Sequence, residues 1–351
     1  MAIISLPIPM VSVLEKNIVK PSSPTPTSLR THTLSYIDQT LSSMYLPVSH
    51  FECGGIAVSA ALCHKIGDGF TVTKFVNDWA ATTRDPHVKP FVHFVRDSVI
   101  PPPEKSPPLP TPVIVAETQH CRQKRYFFSA SKLNSLKAMY CRFYLKVVKA
   151  KTGIQNPTRT EVVSAFLYKC IVSAVKTRHD SDTLRPSQLF HYANIRPLAL
   201  SESLAATSAG NLLSTFCIST THADEMDVAK LVAELRKGKQ GLYAKDMTKE
   251  NELALEIYES TKKGDKPYEE DGFDKYFFSS FCNFPLYDVD FGWGRPKHVS
   301  VPMGPFKNFI LLSGNKSMDG VDAWVTMEEG HVAALEQYEE LEEFAGMVLS
   351  R

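Results

Sequence analysis

Apolar residues recur along this chain with two periods. Val72, Phe75, Val76, Trp79 and Ala80 fall at i, i+3, i+4, i+7 and i+8, one face of a helix ending near Ala81. Just before them, Ile56 to Cys63 is an apolar run of strand length without charge or proline. Gly67 and Gly69 separate the two, so the order is strand, glycine turn, helix, with His64 where the strand ends. A second helix is announced by a Thr-x-x-Glu capping box at Thr158 and Glu161. Behind it Val163, Phe166, Leu167, Cys170, Ile171, Ala174 and Val175 keep a strict helical stripe, which reads as core.

Further helices are predicted after Ser131 (Leu133, Leu136, Tyr140), around Val228, Leu231, Val232 and Leu235, and as one acidic helix from Glu328 to Phe344. Strands are predicted at Val11 to Val19, Arg125 to Ser129 and Leu189 to Asn194. Phe306 to Ser313 and Val321 to Met327 form a further pair around Asp319-Gly320. An ordered piece begins at Leu34, and residues 244–272 are charged and partly helical. Seven prolines between Ile100 and Pro112 exclude helix and central sheet there and mark a surface loop. Strands and helices mix throughout, so the class is α/β.

Composition narrows this without redirecting it. The 351 residues suffice for two domains with a substantial core. A net charge of +1 offers no electrostatic footprint for nucleic acid or an anionic membrane. The seven cysteines are scattered, with no Cys-x-x-Cys pair, which suits reduced thiols better than a disulfide framework or a metal site. No run reaches membrane-spanning length, and Met1 to Leu14 lacks a basic leader, so a cytoplasmic protein is expected.

His64 and Asp68 stand four apart. With eleven histidines in the chain such a spacing arises by chance about half the time, and His93 to Asp97 repeats it without glycines. The setting of His64 at the end of a buried strand is what recommends it as a catalytic base. Cys63 is its neighbour on the strand, points to the other face and reads as core. The chain has no Gly-x-Ser-x-Gly elbow, P-loop, Gly-x-Gly-x-x-Gly or His-Glu-x-x-His.

Asp290-Phe291-Gly292-Trp293-Gly294 is a far rarer string. Together with His64 to Gly69 it resembles the BAHD acyl-CoA-dependent acyltransferases of plants. The likeness extends through Phe51 to Ala57, Pro157 to Phe166, His191 to Arg196, Gly210-Asn211, Phe284 to Pro296 and Asp319 to Thr326. The text is most similar to family members that acetylate alkaloid or terpenoid alcohols. The resemblance implies two chloramphenicol-acetyltransferase-like α/β domains with mixed sheets, at residues 1–180 and 181–351, around a channel. It implies acyl-CoA as co-substrate, a small-molecule alcohol as acceptor, a monomer and no metal. It makes His64 the general base, and Asp68 a structural residue paired with Arg196. Asp290 to Gly294 becomes a mainly structural motif near the CoA side, with Trp293 a weaker contributor to the reacting centre.

Against the family pattern, on the order of ninety residues are missing between Pro47 and Val48, several elements' worth. The N-terminal domain is therefore expected to be incomplete, with strand edges and apolar faces exposed. Pro197 stands where relatives often carry a second basic residue, and Met1 to Met10 is an unusual extension. Two readings accompany the active enzyme: an inactive family member reduced to a ligand-binding remnant, and a mis-spliced or mis-assembled form.

Overall fold

The structure, a computed structural model, describes residues 7–14, 44–51, 53–64, 66–94, 120–147, 156–178, 185–245, 272–301 and 307–347. The piece beginning at Leu34, the proline-rich loop and the charged stretch beyond residue 245 lie outside them.

Two sheets organise the chain. The smaller contains β1 (Pro7–Leu14), β2 (Met44–Tyr45), β3 (Val48–His50) and β4 (Ile56–Cys63), together with β11 (His298–Ser300). β1 lies between β11 and β4, while β2 and β3 pair with successive parts of the far edge of β4. β4 leads into helix α1 (Gly69–Arg84), after which β5 (His93–Phe94) pairs with β8 (Ser208–Ala209).

The larger sheet has seven strands in the order β14-β6-β13-β12-β10-β7-β9. They are β6 (Cys121–Phe128), β7 (Ser187–Asn194), β9 (Leu213–Thr220), β10 (Asp274–Phe281), β12 (Phe309–Gly314), β13 (Val321–Glu328) and β14 (Gly346–Met347). β10 runs parallel to β7 and β12 and the remaining pairs are antiparallel, so the sheet is mixed, as expected. The sheets draw on both sides of residue 180: β6 joins the larger one and β11 the smaller.

Strand alternation sends the two faces of the larger sheet into different cores. Ile310, Leu312, Ala323 and Val325 point into the main core with α2 (Ala130–Val147), α3 (Arg159–Arg178) and α4 (Val228–Tyr243). Leu311 and Trp324 point the other way, into a second core with Val58, Ala60 and Leu62 of β4 and Val72, Val76 and Ala80 of α1. Helix α1 is thus packed between the sheets. The capping box of α3 is formed: Thr158 N–H donates to the Glu161 carboxylate at 2.8 Å, and Glu161 N–H donates to Thr158 Oγ1 at 3.2 Å. Among the described residues no helix is long and apolar enough to cross a membrane.

Two differences from the expectations have physical reasons. The first strand begins at Pro7 rather than Val11: β4 pairs with all of Pro7–Leu14, and among the described residues β11 pairs with Val11–Val13, so Pro7 and Pro9 lie outside that second ladder, where a missing N–H is tolerated. Residues 15–19 fall outside the described chain. The acidic helix is two helices, α5 (Glu329–Glu336) and α6 (Glu339–Phe344), broken where Tyr338 turns extended. A straight continuation of the Val332 and Leu335 face would turn Glu339, Glu342 and Glu343 inward. The break buries Leu341 and Phe344 instead. Near Pro47 the apolar side chains Tyr45, Val48 and Phe51 are exposed along the β2–β3 edge.

Phe166 of α3 is fully buried, edge-to-face with Phe128 and Phe344. Phe166→Ala is expected to cost about 3–5 kcal/mol in urea unfolding. A loss below about 1 kcal/mol would contradict this packing.

Candidate active site

His64 follows β4 directly, in a tight turn closed by Ile66 N–H donating to the Cys63 carbonyl at 2.9 Å. The turn can only be this tight because of its glycines. A Cβ on Gly67 would come within 2.6 Å of the Thr71 side chain, and one on Gly69 within 2.3 Å of the Phe281 ring. Burial pushes the imidazole below its ordinary pKa, partly offset by its own backbone carbonyl, by the Asp68 charge and by the Asn211 side chain. The ring is therefore neutral at physiological pH, the form in which one nitrogen can accept a proton.

Asp68 does not serve that ring through a hydrogen bond; its acceptor positions are occupied elsewhere. It caps α1, taking Thr71 N–H at 3.1 Å and the Thr71 hydroxyl at 3.0 Å on Oδ1. Arg196 grips it as a fork, Nη1 to Oδ2 at 2.7 Å and Nη2 to Oδ1 at 3.0 Å. Leu212 N–H adds a fifth contact to Oδ2 at 3.1 Å. A carboxylate so occupied has no lone pair left over for a relay.

Arg196 is equally committed. It is 1% exposed at the end of β7, donating also to Ser208 Oγ (3.0 Å), Asn194 Oδ1 (3.3 Å), Thr71 Oγ1 (3.2 Å) and the Gly210 carbonyl (2.9 Å). Its guanidinium carbon lies 4.4 Å from the centre of the Phe70 ring. The pair thereby joins the β4–α1 turn to the larger sheet across the boundary between the cores.

A family model described as the transferase family matches residues 44–342. "Acyltransferase Pun1" of Capsicum frutescens is 33% identical over 97% of this chain and 99% of its own length. The chain belongs to the BAHD acyltransferase family. The alignment with that relative runs over 451 positions, more than the 351 residues available here, so the relative carries stretches without a counterpart in this chain.

Other members are matched less completely. A 17,18-epoxy-17-hydroxycur-19-ene N-malonyltransferase of Strychnos nux-vomica is 38% identical, over 86% of this chain but 62% of the relative. A deacetylvindoline O-acetyltransferase of Catharanthus roseus is 32% identical, over 85% of this chain and 67% of the relative. Among solved structures, vinorine synthase superposes with a TM-score of 0.67 at 24% identity, covering 88% of this chain and 67% of that one. F. graminearum TRI101, solved with coenzyme A and T-2 mycotoxin, gives 0.67 at 16% identity, covering 87% and 69%. These likenesses establish the fold.

In this BAHD chain the second motif lies at the other end of α1. Asp290 Oδ1 accepts Gly292 N–H at 2.8 Å and Gly294 N–H at 3.0 Å, and Gly292 and Gly294 take positive φ angles of 103° and 109°. Those amides, Gly292 first, hold the Asp290 carboxyl below its usual range. Arg84 Nη1 donates to the Asp290 carbonyl, and Phe291 packs edge-to-face on Trp79 at 4.8 Å. Trp293 stacks on Phe291 with 40% of its surface exposed. At 1.5 Å per helical residue, Trp79 and Arg84 stand roughly 15–22 Å along α1 from the glycine turn. The structure brings His64, Asp68 and Arg196 together and leaves the second motif apart.

Sequence reasoning did not single out Thr71, Ser208, Asn194 or Asn211. Thr71 sits at the third helical position after an Asp cap, a spacing that can be read for capping. The others depend on how β7, β8 and the β8–β9 link fold back, which periodicity does not reveal. Pro197 sits in the first turn of a one-turn helix, Arg196–Ala199, where a missing N–H costs nothing.

Arg196→Met would leave the Asp68 carboxylate buried without its counter-charge, and a loss of about 3–5 kcal/mol in chemical unfolding is expected. Arg196→Lys would recover only part of it, because an ammonium cannot reproduce the fork. Wild-type stability in Arg196→Met would contradict the assignment.

Proposed function

We propose that this chain transfers an acyl group, with acetyl from acetyl-CoA the leading choice, to an alcohol of a plant alkaloid or terpenoid. His64 acts as general base. The observation that carries the reading is an imidazole at a strand end, in a turn pinned by a saturated ion pair and set between two cores. The relatives support the class of reaction by the acyl transfers in their names. TRI101 supports the substrate pairing, since its structure holds coenzyme A together with T-2 mycotoxin, a small molecule.

An alcohol is a weak nucleophile at neutral pH. As its oxygen attacks the thioester carbonyl carbon, its proton passes to the free nitrogen of His64. The carbon–oxygen bond forms, the carbonyl electrons move onto oxygen, and the tetrahedral species collapses by expelling the CoA sulfur. The imidazolium then gives its proton to the departing thiolate, so ester and free CoA leave and the histidine is restored. No acyl-enzyme is needed. Asp68 and Arg196 contribute position, holding the turn while the proton moves.

A second reading, a binding remnant without turnover, is favoured by the exposed apolar edge at Tyr45, Val48 and Phe51 and by the partial coverage of most relatives. Incubating the purified chain with acetyl-CoA and a panel of alkaloid and terpenoid alcohols, and following CoA release, separates the two. Turnover should fall about 100- to 10,000-fold in His64→Ala. Turnover that survives this substitution would sink the mechanism; CoA binding without ester formation would favour the remnant.

The pH dependence has a definite sign. Only neutral imidazole accepts the proton, and burial holds its pKa below the usual 6.5. Activity as kcat/KM should therefore rise with pH through a limb below that value and be flat at neutrality, a limb absent from residual His64→Ala activity. A limb above pH 6.5 would contradict the burial argument.

A further inference from the structure

One row of side chains crosses the larger sheet on the side of the main core. In register it reads Phe216 of β9, His191 of β7, Phe278 of β10, Ile310 of β12 and Val325 of β13. His191 is the titratable member of this otherwise apolar row, and it is 7% exposed. Its ring lies nearly parallel to both neighbours: Phe216 is 5.3 Å away at 5°, and Phe278 is 6.4 Å away at 20°. Helix α4 lies directly on the stack, since a Cβ on Gly238 would come within 2.8 Å of the Phe216 ring.

That place suits a neutral imidazole and not a charged one. Nδ1 donates to the Tyr192 carbonyl at 2.9 Å, a bond that either form can make. The strands on either side, β9 and β10, present phenyl rings. Of the charged groups that act on the imidazole, Lys239 of α4 has the same sign as its proton. Glu161 of α3 has the opposite sign, but Arg236 of α4 already holds it as a fork at 3.0 and 2.6 Å. The phenyl faces attract an imidazolium weakly, by less than its lost solvation costs. Burial accordingly holds the group at about 4 against an ordinary 6.5, with the Tyr192 carbonyl opposing the shift.

We propose that His191 is an acid-sensitive joint of the larger sheet: taking up a proton there costs the fold its stability and releases the strand that leads to Arg196. In the unfolded chain an imidazole takes its proton below about 6.5, whereas in the fold this one resists until about 4. The stability it contributes is complete above pH 6.5 and is lost as the pH falls from there towards 4. Because β7 carries this joint and ends beside Arg196, the Asp68–Arg196 pair goes with the sheet. The folded chain is thereby confined to near-neutral surroundings, whatever reaction it performs.

The test is urea unfolding of the full chain from about pH 7.5 down to about pH 5, beside His191→Phe, which keeps a flat ring in the stack but takes no proton. Over that range this one group should raise the wild-type unfolding constant roughly thirtyfold, given its folded and unfolded values. Other groups contribute to both proteins alike, so the wild-type rise should exceed that of His191→Phe by this factor. Lys239→Glu alters an exposed side chain and offers the imidazole an anion in place of a cation. Its rise should be smaller than the wild-type one. Parallel pH profiles for wild type and His191→Phe would overturn the proposal. If His191→Phe does not fold, a Lys239→Glu profile parallel to wild type overturns it alone. Ester formation enters neither readout, so the joint and the acyl-transfer reading stand or fall separately.

Discussion

The arrangement depends on one buried ion pair. Asp68 and Arg196, at 4% and 1% exposure, are 128 residues apart in the chain and follow strands of the two different sheets, β4 and β7. A buried charge pair contributes less to net stability than its contacts suggest, because both ions must be desolvated. What it supplies here is registry. Thr71, Ser208, Gly210 and Leu212 all bond to one ion or the other, so the glycine turn has only one way to meet the larger sheet. The imidazole of His64, adjacent to this knot but outside it, inherits that fixed position.

Helix α1 carries the constraint across the molecule. Its first turn is capped by Asp68, and its last turns hold Trp79 against Phe291 and Arg84 against Asp290. The two motifs that carried the resemblance therefore lie at opposite ends of one helix, each tying it to a different part of the chain. The second motif thus holds the far end of α1, well away from His64. On the β2–β3 edge of the smaller sheet, the apolar side chains Tyr45, Val48 and Phe51 are exposed.

Much of this was legible in the residues, and the reasons differ by element. β4, α1 and α3 were readable because each carries one strong period and a clear terminus, the glycine turn or the Thr158–Glu161 box. The β12–β13 pair was readable from its alternation and the turn between. The break at Tyr338 was not, because the acidic stretch looks like uninterrupted helix until one asks which face must be buried. Nor was the parentage of the sheets: β6 and β11 cross to the sheet of the other half, and pairing partners are not encoded in local pattern. In the site, spacing alone made His64 and Asp68 look like a couple. Geometry separates them, since every acceptor position of Asp68 is taken by Thr71, Arg196 or Leu212. Asn211 stood out only as part of the Gly210-Asn211 stretch of the resemblance; its bond to the His64 carbonyl depends on what folds against it.

The central claim is that the Asp68 carboxylate positions the turn and does not take part in proton transfer. Measuring ester formation by wild type, Asp68→Asn, Arg196→Met and the double variant closes the thermodynamic square. If the pair acts by position, removing both charges should restore activity above that of either single variant, because no unpaired ion remains buried. A double variant no more active than Asp68→Asn, though equally well folded, would mean that the carboxylate itself is needed by the reaction.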